Sequence, residues 1–116
     1  MITVSKKYIA LYCKINYIVI MKYITFEWDE NKNISNQQKH GISFKEAKTV
    51  FYDDSARLIH DPDHSDIEDR FILLGLSINF RILVVTHTYK KNDEKIRIIS
   101  ARKATKNETK KYYRRK

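Results

Sequence analysis

A chain of 116 residues, 42% apolar and 32% charged, is long enough for one small hydrophobic core and too apolar to be a disordered segment. Its single cysteine, Cys13, excludes an internal disulfide and a cysteine-built metal centre, and makes a reducing cytoplasm the default compartment. The formal net charge of +9 is concentrated at one end: residues 90–116 hold twelve Lys or Arg against Asp93, Glu94 and Glu108, whereas residues 1–89 hold eleven of each sign.

Two glycines and one proline predict regular elements joined by short loops. In residues 1–20, Lys6-Lys7 precede an apolar run that Lys14 and Asn16 interrupt, too short and polar to span a bilayer and without a small-residue cleavage site. This stretch reads as an upstream extension, with a single domain over residues 21–116. Tyr23-Ile-Thr-Phe-Glu-Trp28 alternates, which predicts a strand with Ile24, Phe26 and Trp28 facing inward. Asp29 offers an N-cap for a polar helix from Glu30 to His40, stopped by Gly41; with only Ile34 as a large apolar residue, it reads as a surface helix. Ser43-Phe-Lys-Glu46 has the form of a capping box, and Phe44, Ala47, Val50 and Phe51 form an apolar stripe that packs the second helix on the core.

Ser55 to His60 reads as a short strand, Asp61 to Asp66 as a loop, and Arg70 to Ile78 as an apolar central strand. Asn79-Phe80 turns the chain into a strand from Arg81 to Tyr89, and the polar Lys90-Lys91-Asn92-Asp93-Glu94 connection has the length that joins a hairpin to a strand from Lys95 to Arg102. Thr105-Lys-Asn-Glu108 is a second capping box, opening a basic C-terminal helix. The order β-α-α-β-β-β-β-α predicts an α+β fold: a small antiparallel sheet with its helices on one side.

Chemistry narrows by elimination. Asp61-x-Asp63-x-Ser65 opens like a calcium loop, but Asp66 stands where glycine is required and Ile72 where glutamate is. His40, His60, His64 and His87 show no zinc spacing, and no phosphate-binding glycine loop is present. No metal or cofactor is therefore expected. A guanidinium in a strand must stay wet, find a partner or meet a ligand, since it does not lose its charge by titration; Arg97 and Arg102 are the residues to explain. A basic segment on a neutral body, with Tyr89, Tyr112 and Tyr113 interleaved, suits a phosphate-backbone ligand, although a solvated tail has the same composition. Lys32, His40, Glu68, Arg70, His87, Arg97 and Arg102 supply the types that RNA cleavage needs without metal: a base, an acid, and cations for the phosphorane-like transition state. For His87 a structural strand role fits equally well, and for Arg70 a surface ion pair with Glu68 or Asp69 is the alternative.

Several segments in order carry a resemblance. Phe26-Glu-Trp-Asp-Glu-Asn-Lys32, Lys39-His-Gly-Ile-Ser-Phe44, Ala47, Val50-Phe51, Arg70-Phe-Ile-Leu-Leu-Gly75 and Arg97-Ile-Ile-Ser-Ala-Arg-Lys-Ala-Thr105 through Glu108 and Tyr112 together resemble the BrnT family of type II toxins. The resemblance implies a RelE-like toxin fold, metal-independent ribonuclease activity that arrests translation, and a BrnA-like ribbon-helix-helix antitoxin through which the toxin contacts operator DNA indirectly. It further implies that Lys32, Arg70 and Arg102 line the RNA-facing surface. Arg70 and Arg102 are then the expected phosphate and transition-state ligands, Glu68 or His87 the proton carrier, and Lys32 an assisting cation. Arg97, Lys103, Lys106, Lys110 and Tyr112 are the expected RNA-binding residues. Two other classes compete: a nucleic-acid-binding subunit that cuts nothing, and a co-repressor that only supports a DNA-binding partner.

Overall fold

The structure is a computed structural model describing residues 24–60, 69–90 and 94–114. The expected N-terminal extension, the loop with Asp61, Asp63 and Glu68, and Lys91, Asn92 and Asp93 lie outside the described residues. The elements are β1 (Thr25–Glu27), α1 (Glu30–His40), α2 (Phe44–Thr49) continued by a 3-10 turn (Val50–Tyr52), β2 (Arg57–His60), β3 (Phe71–Leu76), β4 (Ile82–Lys90), β5 (Lys95–Lys103) and α3 (Lys106–Tyr113). Their order is the one read from the sequence.

The five strands lie in the order β1-β5-β4-β3-β2. From β2 to β5 the sheet is an antiparallel meander, but β1 joins the free edge of β5 in parallel, Phe26 opposite Ile96. The expected antiparallel sheet is therefore mixed. The central strand is β4, not the apolar segment after Arg70: β3 is internal and one place off centre. A register irregularity between Thr86 and His87 of β4 leaves Ile99 of β5 without an opposite residue, the signature of a β-bulge.

One sheet face carries the main core. Leu73, Leu83, Val85, Ile96, Ile98 and Ala101 pack there against Ile42, Phe44, Ala47, Val50 and Phe51, with Ile24, Phe26 and Trp28 partly buried at its margin, as the alternation of the first strand predicts. Gly75 is needed where β3 passes beneath the 3-10 turn that continues α2: a Cβ there would lie 2.7 Å from Val50 Cγ1 and 2.9 Å from Ala56 Cβ.

The helix caps follow sequence rules, but the docking of the helices goes further. Asp29 accepts from the Asn31 amide at 2.8 Å, and Gly41 closes α1 in the left-handed conformation at φ 71°. Lacking an apolar stripe, α1 docks by amides. Asn36 Nδ2 donates to the Ile42 and Ala101 carbonyls at 2.8 Å each, while its Oδ1 accepts from the Ala101 amide at 3.1 Å. The expected surface helix thus buries Asn33 and Asn36. At α2, Ser43 caps the Glu46 amide at 3.0 Å, yet the Glu46 carboxylate does not complete the expected box. It is buried, so its charge needs partners: Ser77 Oγ donates to it at 2.7 Å, Arg81 Nε at 3.0 Å. Burial pushes this carboxyl up, but the Arg81, Ser77 and Asn79 hydrogen bonds outweigh it and hold Glu46 below the usual range.

The third helix departs from the expected layout. Tyr112 of α3 packs with Leu74 and Val84, bordered by Ile72, Leu76, Ile82 and Ala104, residues that alternate with the main-core set along β3 and β4. Helices therefore lie on both faces, because α3 brings its own small apolar side to the second face.

Candidate nucleic-acid interface

The second face is divided. At one end α3 covers Leu74 and Val84. Strand alternation and register place Glu27 of β1, Lys95 and Arg97 of β5, and Thr86, Thr88 and Lys90 of β4 on the rest of it. Val85 and Tyr89 of β4 and Ile96 and Ile98 of β5 are spent on the main core, and the charged side chains of Glu27, Lys90, Lys95 and Arg97 make this half mainly cationic.

Arg102 stands at the border, opposite Val84. Its guanidinium forks onto Glu108, Nη1 donating to Oε1 at 2.8 Å and Nη2 to Oε2 at 2.9 Å, the bidentate geometry that arginine favours. Glu108 also completes the predicted capping box, accepting from the Thr105 amide at 2.8 Å while Thr105 Oγ1 accepts from the Glu108 amide. One carboxylate thus starts α3 and ties it to β5. The Arg102 hydrogen bond is the main reason the Glu108 carboxyl is held down to about 2; the same hydrogen bond raises the Arg102 pKa.

Five residues earlier on β5, Arg97 Nη1 donates to Glu27 Oε2 at 3.1 Å. Lys95 approaches the same carboxylate at 3.6 Å and Lys90 at 4.0 Å, so one carboxylate faces three cations. The Arg97 hydrogen bond leads in holding Glu27 below its usual range. A strand rise of about 3.3 Å per residue separates Arg97 from Arg102 by on the order of 15 Å, making two cationic positions on one face.

Other expected site residues are distributed. Lys106 and Lys110, one helical turn apart on α3, and Lys103 at the end of β5 are exposed. Arg70 immediately precedes β3 and is half-buried. Lys32 lies on α1, the helix whose Asn36 bonds the Ala101 backbone of β5, and is exposed. Two assignments need correction. His87 has no exposed surface; Nδ1 meets the Val85 carbonyl at 3.1 Å, Nε2 meets Tyr89 Oη at 2.9 Å, and Phe51 crosses its ring edge-on. Burial pushes its pKa down to about 4, so it is a neutral core side chain that RNA does not reach. Tyr112 is 5% exposed and donates its hydroxyl to Asp53 Oδ2 at 2.6 Å, anchoring α3 instead of offering a stacking ring. The exposed tyrosine of the pair is Tyr113.

Reading the sequence missed Glu27, Thr88 and Asp53. Glu27 falls on the outward set of the first strand, but its meeting with Arg97 depends on the parallel β1–β5 contact, for which the sequence has no local signal. Among the described residues no group of three His, Cys, Asp or Glu side chains could hold a metal ion, and no described helix is long and apolar enough to cross a membrane.

Fold and face together define a small α+β protein whose mixed sheet presents a cationic surface beside a C-terminal helix. The family model described as a ribonuclease toxin, BrnT, of type II toxin-antitoxin systems matches residues 28–108. The chain belongs to that family, which the segments from Phe26 to Tyr112 had suggested. Among solved structures it is similar to the Brucella abortus ribonuclease toxin BrnT, known at 1.1 Å, with 26% identity and a TM-score of 0.55 over 72% of this chain and 99% of that one. No curated protein matches the chain.

Proposed function

We propose that this chain is a metal-independent endoribonuclease that cuts RNA, arrests translation and is held inactive by a BrnA-like ribbon-helix-helix antitoxin. Its membership of a family of ribonuclease toxins supports the reaction class. The observation that carries the reading is that Arg97 and Arg102 share one sheet face, opposite Thr88 and Val84 of β4 with Thr86 between them. In cleavage through the 2′-hydroxyl, charge builds on the non-bridging phosphate oxygens, and a guanidinium oriented in advance stabilises it without reorganising. Arg102 is so oriented: Glu108 takes one N–H from each terminal nitrogen and the Lys103 carbonyl accepts from Nη1 at 3.2 Å, which leaves the second N–H of Nη2 for phosphate. Arg70, which precedes Phe71 opposite His87 and so lies toward the Arg97 end of the sheet, is assigned a phosphate at that end, Lys103, Lys106 and Lys110 the flanking backbone, and Glu68 the proton transfer that His87 cannot perform. Lys32, exposed on α1, is assigned the role of an assisting cation. An acidic amphipathic segment of the antitoxin would neutralise the toxin by competing for the same arginines.

The test is cleavage of a defined RNA in EDTA by the parent and by Arg102→Ala, compared at equal folded fraction. The parent is expected to cut, and the variant to be roughly 10²–10³-fold slower. Failure of the parent to cut either free or ribosome-bound message would overturn the reading. A second reading, a nucleic-acid-binding or co-repressor subunit without catalysis, draws support from the carboxylates that occupy both arginines; it predicts salt-sensitive RNA binding and no scission.

A further inference from the structure

One hydroxyl on the polar half of the sheet face has no partner. Thr88 is 2% exposed, and its Oγ1 is buried without a hydrogen bond. Desolvating a hydroxyl without a partner is costly, and valine, of the same shape and equally at home in a strand, would avoid the cost. The neighbours give the threonine a reason. Arg97 stands directly opposite Thr88 across the β4–β5 ladder, and Glu27 stands opposite Arg97 across β1–β5. A carboxylate, a guanidinium and an unused hydroxyl therefore form one row across three strands, with Lys90 and Lys95 beside the carboxylate.

We propose that this row is a phosphodiester subsite of the RNA path, separate from Arg102, in which Glu27 stands in for the phosphate while the site is empty. A backbone phosphate entering the row draws the Arg97 side chain off Glu27, and only with that side chain shifted does it reach and accept the Thr88 hydroxyl, which is covered in the empty site, supplying the partner that the hydroxyl lacks. Lys90 and Lys95 remain with Glu27, so the displaced carboxylate keeps counter-charges and the exchange leaves no charge unpaired. The subsite reads the backbone and not the bases, because every donor in it suits an oxyanion. On the β1 side of Arg102, on the order of 15 Å along β5, it would hold a nucleotide away from the scissile bond and set the polarity of the bound strand. The inference rests on the proposal that RNA is the ligand of this face.

The experiment measures binding of the full chain, free of antitoxin, to a 2′-O-methyl RNA oligonucleotide, which keeps the phosphates and removes the 2′-hydroxyl nucleophile. Parent, Thr88→Val, Thr88→Ser and Arg97→Gln are compared, each with its melting temperature. Thr88→Val is expected to melt at or above the parent temperature and to bind roughly tenfold more weakly, the effect of one charge-assisted hydrogen bond. Thr88→Ser is expected to bind like the parent, and Arg97→Gln to show at least the loss of Thr88→Val without touching the buried position. Parent-like binding by Thr88→Val overturns the subsite, as does a loss confined to antitoxin affinity, which would assign the row to the protein partner. Cleavage of unmodified RNA by the same proteins separates the two proposals. A parent that cuts alongside a Thr88→Val variant that binds normally removes the subsite alone; a parent that binds through Thr88 without cutting removes only the ribonuclease reading.

Discussion

His87 illustrates how far a residue type can mislead. Its imidazole is neutral in the folded protein down to about pH 4 against an ordinary value of 6.5, so between those values the unfolded chain binds more protons than the native one. Stability therefore falls as the pH drops from 6.5 towards 4. His87→Gln should flatten that part of the profile in urea unfolding while leaving neutral-pH RNA cleavage unchanged per folded molecule; a cleavage defect at equal folded fraction would return His87 to the reaction. Gly75 is the converse case, a residue without chemistry that is fixed by space. Its absent Cβ would lie 2.7 Å from Val50 Cγ1 and 2.9 Å from Ala56 Cβ, both within the packed core, and Gly75→Ala should lower stability by roughly 1–3 kcal/mol, read as a shift in the urea midpoint.

At the scale of elements, the helices show what periodicity can and cannot convey. The ends of α1 were legible in Asp29 and Gly41, since capping is a local interaction with a local signature. Its docking was not, because patterns of apolar spacing do not register an amide that satisfies three backbone groups. Asn36→Ala should leave the Ile42 and Ala101 carbonyls and the Ala101 amide without these partners, at a cost of roughly 2–4 kcal/mol in equilibrium unfolding; a cost below about 1 kcal/mol would mean that water replaces the amide. The last helix was likewise legible in its capping box, while its face was not: Tyr112 looks like an exposed aromatic among lysines until Asp53, far away in sequence, supplies its partner. The Arg102–Glu108 pair holds the carboxyl down to about 2 from 4.5, so its contribution is present above 4.5 and is lost as the pH falls towards 2. Glu108→Gln should lack this acid dependence and should lose hydrogen-exchange protection in α3 at neutral pH, with the core strands unaffected.

For the whole molecule, the separation of a neutral body from a basic C-terminal segment was evident from charge counting alone, and so was the antiparallel run of the last four strands, whose turns are local. The site was less so: Arg97 and Arg102 were visible as arginines in a strand, but not the carboxylates that hold them. The distribution of charge predicts that RNA affinity falls linearly with the logarithm of salt concentration, with a slope of roughly −0.7 per phosphate contacted on a single strand. Lys106→Ala with Lys110→Ala should make that slope shallower by up to about 1.4 without altering cleavage position; an unchanged slope would place the backbone away from α3. The parallel contact between β1 and β5 also governs timing. Glu27 meets Arg97 70 residues later in the chain, and the strand carrying Arg97 and Arg102 is the last to be made. A nascent chain that has emerged only through β4 has an open sheet edge, an unattached first strand and no complete cationic face. If RNA is the ligand of this face, as proposed, strand order alone withholds the grip on it until β5 has emerged and closed the sheet, however early β1 is made.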